Sequence, residues 1–197
     1  MYDAWYVRNS VTAENEVRAV AAALADARRP WLEVGVGTGF FAWRLGVDYG
    51  LDPSIRMLSV ARRRGVEVVA GVGEVLPFRD GVFGAVLLIV TLCFVDDPVA
   101  VVSESARVLR RGGYLVACVV PRENEWGRYY ESIRDSSPFY RIARFLSTAE
   151  VEALVEGAGL KPVRWVSTLT YGPLDVPRPE EPFEGLGGGF SCLRARK

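Results

Sequence analysis

The clearest chemistry in the sequence lies in seven consecutive residues, Glu33-Val34-Gly35-Val36-Gly37-Thr38-Gly39. They follow the apolar pair Trp31-Leu32 and precede Phe40-Phe41, so three glycines stand between a strand and a helix. Glycine lets a backbone approach a ligand closely, and a helix N-terminus offers unpaired N–H donors. Such a turn cradles a nucleotide. Its spacing departs from the dinucleotide pattern Gly-x-Gly-x-x-Gly, because Gly39 falls one residue early and Phe40 stands in the expected place. Glu33 sets a carboxylate just ahead of the loop. That charge would repel a pyrophosphate but would accept, directly or through water, from a cationic amino-acid group such as that of methionine.

Asp52 closes the second strand. An acid there accepts both hydroxyls of a ribose at the carboxyl edge of a sheet, and it has lone pairs left to cap a helix opening at Pro53. A third piece is Gly71-Val72-Gly73-Glu74-Val75-Leu76-Pro77-Phe78, followed by Gly81-Val82-Phe83. Further along, Glu123 and Glu125 are the nearest general bases in an aromatic- and arginine-rich stretch. Arg122 and Arg128 suit an anionic acceptor, although loop charges are most often simply solvated. Cys93 follows the central strand and reads as a buried space-filler.

The elements that position these groups alternate. Thr12 to Arg28 is an amphipathic helix with Thr12 as its cap and Val17, Val20, Ala21 and Leu24 on one face. Val47–Leu51 and Val66–Ala70 are strand-like, and the helix between them opens with Pro53 in its first turn and ends in Arg62-Arg63-Arg64-Gly65. Gly84 to Val90 is apolar on both faces, as a central parallel strand must be. Asp97-Pro98 opens the next helix, Arg110-Arg111-Gly112-Gly113 closes it, and Tyr114 to Val120 is a strand. Ser147 and Glu150 form a capping box. Val163–Thr170 and Gly189–Ala195 are strands that can pair as an antiparallel hairpin across a proline-rich connection. Strand–helix–strand repetition implies a parallel sheet with helices on both faces.

Composition narrows the choices. The 197 residues suit one domain with a single core, half of them hydrophobic and with no net charge, so neither nucleic acid nor a charged membrane surface is an expected partner. Histidine is absent, which removes imidazole bases, histidine metal ligands and any serine–histidine–acid triad. Cys93, Cys118 and Cys192 show no metal-type spacing and read as reduced, mostly buried thiols. No signal-like or bilayer-length apolar segment appears, so a cytoplasmic location and a monomer or homodimer are the expectations.

The ordered pieces LEVGVGTGFF (32–41), YGLDPS (49–54), GVGEVLPFRDGVFGAV (71–86), LCFVDDP (92–98) and RVLRRGGYLV (107–116) resemble the class I S-adenosylmethionine (SAM)-dependent methyltransferases. They are most similar to the ubiquinone/menaquinone-biosynthesis group, methyltransferase type 11. The resemblance implies an α/β, seven-stranded Rossmann-like sheet, mostly parallel with an antiparallel last strand, over residues 1–197. It implies SAM as cofactor, S-adenosylhomocysteine (SAH) as product, and a small-molecule acceptor methylated at N, O or C. Glu33, Gly35, Gly37 and Thr38 would hold the methionine part and Asp52 the ribose, flanked by Pro53, Ser54 and Met57. Gly73 and Glu74 would bracket the adenine, and Ile89 would add a backbone contact. Residues 1–28 and the insert 121–146 would roof the acceptor, with Tyr2, Trp5, Tyr6, Trp126 and Tyr130 as candidate walls beside Tyr129, Phe139 and Tyr140. Aromatic walls suit a sulfonium by cation–π attraction, and suit a planar or amine-bearing acceptor too. Two positions depart from the family pattern, Val72 and Gly84, where an aspartate is usual. A SAM- or nucleoside-binding regulatory module, or a nicotinamide-dependent oxidoreductase, are the alternative readings; the early Gly39 disfavours the latter.

Overall fold

A computed structural model describes residues 3–137 and 140–197. Among these residues, eight strands form one sheet. They are β1 (Trp31–Val34), β2 (Tyr49–Asp52), β3 (Glu67–Ala70), β4 (Phe83–Ile89), β5 (Leu109–Val119), β6 (Lys161–Thr168), β7 (Phe183–Glu184) and β8 (Phe190–Arg196). The helices are α1 (Asp3–Arg8), α2 (Ser10–Leu24), α3 (Phe40–Leu45), α4 (Ile55–Arg63), α5 (Pro98–Val108), α6 (Glu125–Ser132) and α7 (Thr148–Gly157).

The sheet order is β3-β2-β1-β4-β5-β8-β6-β7. The first five strands are parallel, and β8 runs antiparallel between β5 and β6. Every residue of β4 is buried, because alternate side chains enter two cores. Ala85, Leu87 and Ile89 pack with Val17, Val20, Leu24 and Phe41 on one side. Val86 and Leu88 pack with Val101, Val102, Val151 and Val155 on the other. The parallel strands therefore end together at one edge, beneath α1 and the segment after β5.

Several expectations are corrected. The sheet has eight strands rather than seven, the extra one being the two-residue β7 paired with Val166 and Ser167 of β6. The first long helix starts at Ser10 and stops at Leu24; Thr12 is not its cap, and its hydroxyl meets that of Tyr171 at 3.0 Å. Pro53 precedes α4, which Ser54 caps by accepting from Met57 N. Residues Arg110 to Gly113 belong to β5 instead of closing α5. Cys118 and Cys192, directly opposite each other on β5 and β8, are joined in a disulfide and are not reduced thiols. Only Cys93 is free. The Asp97 cap of α5 and the Ser147–Glu150 capping box stand as expected. Gly84 has a steric reason: a side chain there would run into the Arg28 carbonyl.

Candidate active site

The glycine loop folds over the end of β2, with Gly35 N and Val36 N donating to the Leu51 carbonyl at 2.7 and 3.0 Å. Gly35 has φ +76°, and a Cβ there would lie 2.5 Å from Thr91 Cγ2. Gly37 has φ +52°, and a Cβ there would meet nothing within 4 Å. One glycine is required by close packing; the other leaves open space beside the loop. Asp52 sits beside this space. Its two carboxylate oxygens accept from Gly37 N at 2.9 Å and Ser54 N at 2.8 Å, which fixes the carboxylate at the sheet edge.

Glu33 is 2% exposed, and its Oε2 has no hydrogen-bond partner among the described residues. Burial pushes its pKa up to about 8; a hydrogen bond from the Ala42 backbone opposes this, and the charge of Asp52 adds to it. A buried carboxylate with a spare oxygen requires a donor, and a cationic amino group supplies one. The residues therefore fit a methionine-bearing ligand.

The remaining loop positions serve the frame as well. Thr38 is buried, and its hydroxyl donates to Asp3 Oδ1 at 2.7 Å. Arg64 donates to the Thr38 carbonyl at 2.8 Å and pairs with Asp3 at 3.1 Å, so α1 is pinned onto the glycine loop. Gly73 is packed against Val34 and Val101. Glu74 Oε1 accepts from Asp96 N and Asp97 N, tying the third motif to the start of α5. Val72 is 46% exposed and offers no polar group where the family pattern has an acid. Pro53 is exposed, and Met57 lies half-buried in the first turn of α4. The Ile89 carbonyl, at the end of β4, accepts from Thr91 Oγ1 at 3.3 Å. Val90 follows with φ +52°, a costly conformation for a β-branched residue, of the kind concentrated at functional sites.

Beside Ile89 and Val90 opens a cavity of about 380 Å³. Its walls include Trp5 and Tyr6 of α1, Glu16 of α2, Phe41, Tyr130, Tyr140 and Phe145. Tyr6 stacks on Phe40 at 3.9 Å, and Tyr130 stacks on Tyr140 at 4.4 Å. A larger hollow of about 700 Å³ lies at the other ends of β2 and β3, against Tyr49 and Glu67, and includes none of the loop glycines. The smaller one lies beside Ile89 and Val90, at the end of β4.

Of the expected acceptor walls, Trp5, Tyr6 and Tyr130 line this chamber, and Tyr2 lies outside the described residues. Trp126 does not line it. Its indole N–H donates to the Tyr171 carbonyl at 2.7 Å, and the ring is buried beneath Gly189. The candidate bases are elsewhere too. Glu123 accepts from the backbone and hydroxyl of Thr148, and Glu125 is exposed near Gly172. Arg122 pairs with Glu150 at 3.0 Å, and Arg128 is exposed. The residue that sequence reasoning missed is Glu16. Its signal was present: an acid one helical turn before Val20, on the face of α2 that packs inward.

The sequence matches the model of the methyltransferase domain family over residues 32–117. A solved structure from Thermotoga maritima, described as a SAM-dependent methyltransferase and possible histamine N-methyltransferase, superposes with a TM-score of 0.94 at 39% identity, covering 100% of this chain and 94% of that one. The chain belongs to the SAM-dependent methyltransferases. Other relatives of this methyltransferase include an uncharacterized protein of Mycobacterium tuberculosis, 42% identical over 98% of this chain and 70% of its own length. A demethylmenaquinone methyltransferase of Mycolicibacterium vanbaalenii is 34% identical over 64% of this chain and 62% of its own length. The cofactor of the methyltransferase is SAM. Among its described residues, no helix is long and apolar enough to cross a membrane.

Proposed function

We propose that this methyltransferase transfers the methyl group of SAM to a small-molecule acceptor, at N, O or C, bound in the aromatic chamber under α1. The observation that carries the reading is the adjacency of two differently built spaces at one sheet edge. The glycine cradle with its buried, half-satisfied Glu33 suits a cationic amino acid, and the chamber beside Ile89 is partly enclosed, mostly aromatic and apolar, and of small-molecule size. SAM supplies an electrophilic methyl group on a sulfonium.

The chain's own residues hold and orient. Glu33, Gly35, Gly37 and Thr38 take the methionine end, and Asp52 takes the ribose between Pro53 and Met57. Gly73, Glu74 and the Ile89 backbone take the adenine side. Trp5, Tyr6 and Tyr130 wall the acceptor and exclude water, so that proximity and orientation supply much of the rate. The absence of net charge supports a small molecule over nucleic acid as the acceptor. The description of the Thermotoga relative supports nitrogen among the atoms methylated.

Calorimetric titration with SAM and with SAH tests the donor half. Binding of both is expected, and no heat at high micromolar ligand would overturn the reading. Product formation across an amine, phenol and quinone panel tests the acceptor half.

A further inference from the structure

The chamber contains an ionisable group that the donor site does not use. Glu16 lines it, is 7% exposed, and makes no hydrogen bond or ion pair with any of the described residues. Its neighbours on α2 are committed elsewhere. Thr12 and Asn15 bond to Tyr171, Arg178 and Glu180, and Glu14 pairs with Arg18 and Arg44. A lone carboxyl walled by Trp5, Tyr6, Tyr130, Tyr140 and Phe145 is costly to keep, since burying an unpartnered polar group opposes folding.

The geometry points to Glu16 as the acceptor-binding base, and to small aromatic amines that arrive as ammonium ions as the acceptor class. This rests on the methyl-transfer reading of the chamber. Aromatic faces attract a cation, and a carboxylate among them gives the ammonium its one full-charge partner. An ammonium has no lone pair to attack with, and it would be repelled by a neighbouring sulfonium. Glu16 answers both problems. One N–H bond of the ammonium breaks, its proton goes to a Glu16 carboxylate oxygen, and the electron pair of that bond stays on nitrogen as the lone pair. The apolar surroundings favour this neutral acid–amine pair over the ion pair.

The other titratable groups facing the chamber cannot take the role. Arg8, from α1, is exposed, a cation whose Nε donates to the Ala4 carbonyl. Burial pushes the Cys93 thiol up to about 12, and raises Tyr130 and Tyr140 above the ordinary phenol range, so all three stay protonated. Tyr6 is a phenol on the same wall. Glu16 itself is pushed up to about 8 by burial. The empty chamber near neutral pH therefore holds Glu16 protonated, and an entering ammonium must expel one proton to solvent.

That proton is the readout. Benzylamine, phenethylamine and tryptamine are titrated into SAH-saturated protein in buffers of different ionisation enthalpy, with phenethyl alcohol and hydrocinnamate as comparators. At least one amine should bind and release about one proton at roughly pH 7, and the release should fall toward zero above about pH 9. Phenethyl alcohol should bind at least about tenfold more weakly than the best amine with no proton release, and hydrocinnamate weaker still. Glu16→Gln should bind SAH as before, lose about tenfold or more in amine affinity, and release no proton. Amine and alcohol binding equally, no amine binding to SAH-loaded protein, or a Glu16→Gln variant with amine affinity and proton release intact would each overturn the assignment. The comparison of amine with alcohol uses the unaltered protein, so it stands even if the variant fails to fold. Failure of the unaltered protein to bind SAH would instead overturn the methyl-transfer reading.

Discussion

The proposed donor and acceptor halves of the site sit side by side but are built in opposite ways. The donor half is backbone: a glycine loop folded over β2, one aspartate holding Gly37 N, and a strained turn at Val90. The acceptor half is side chains brought from α1, α2, α6 and the segment beyond it. Each half contains one buried acid. Glu33 lies under the loop with an unbonded oxygen, and Glu16 lies in the chamber with no partner among the described residues. On this reading the cofactor is held by a rigid local turn, while acceptor choice is left to segments that meet only in the folded chain.

The largest effect should come from titrating the two acids. Both are pushed from an ordinary carboxyl value up to about 8 by burial. Between about pH 4.5 and 8 the folded chain then holds more protons than the unfolded one, so ligand-free stability must fall as pH rises through that window. The loss should reach several kcal/mol, measured by denaturant unfolding across the range. Glu33→Gln and Glu16→Gln should each flatten the slope. A slope that responds to one substitution alone would break the symmetry between the halves.

Next in size is Gly35→Ala. Its φ of +76° and the contact with Thr91 leave no room for a side chain, and about 3 kcal/mol of stability should be lost. Gly37→Ala has space around it, so stability should fall by only about 1 kcal/mol from the positive φ while SAM affinity falls. Unfolding and calorimetry on the same pair separate a glycine needed by the fold from one needed by the ligand. Equal stability losses would remove that distinction.

The same contrast explains what the sequence made legible. Glu33 and Asp52 could be placed from sequence because they stand in the last residues of β1 and β2, and local spacing puts the ends of parallel strands, with the glycine loop between them, on one edge of the sheet. The Asp97 cap and the Ser147–Glu150 box are likewise short-range. Trp126 was misplaced because its surroundings are remote in sequence: Tyr171 takes its N–H and Gly189 covers its ring. Glu16 was passed over because periodicity counts apolar residues, so a single acid on an inward face reads as noise. Cys118 and Cys192 are 74 positions apart, and only the register of β5 against β8 brings them together. Val72 was recognised as a departure, and the structure leaves it exposed with Glu74 tied to the following loop.

A smaller effect tests the donor half alone. Asp52→Ala removes the acceptor of Gly37 N and Ser54 N together with the proposed ribose anchor, and should weaken SAM binding by about 1–3 kcal/mol. Unchanged affinity in calorimetry would remove the ribose assignment. The smallest expected effect concerns the seam between the halves. Asp3 joins α1 to the glycine loop through Thr38 and Arg64, and that ion pair is partly exposed, so its loss in Asp3→Ala should cost about 1 kcal/mol or less in overall stability. α1 also supplies Trp5 and Tyr6 to the chamber, so loosening it should raise the dissociation rate of an acceptor more than that of SAH. Stopped-flow release of each ligand would show it. Equal acceleration of both would mean that α1 covers the two halves as one lid.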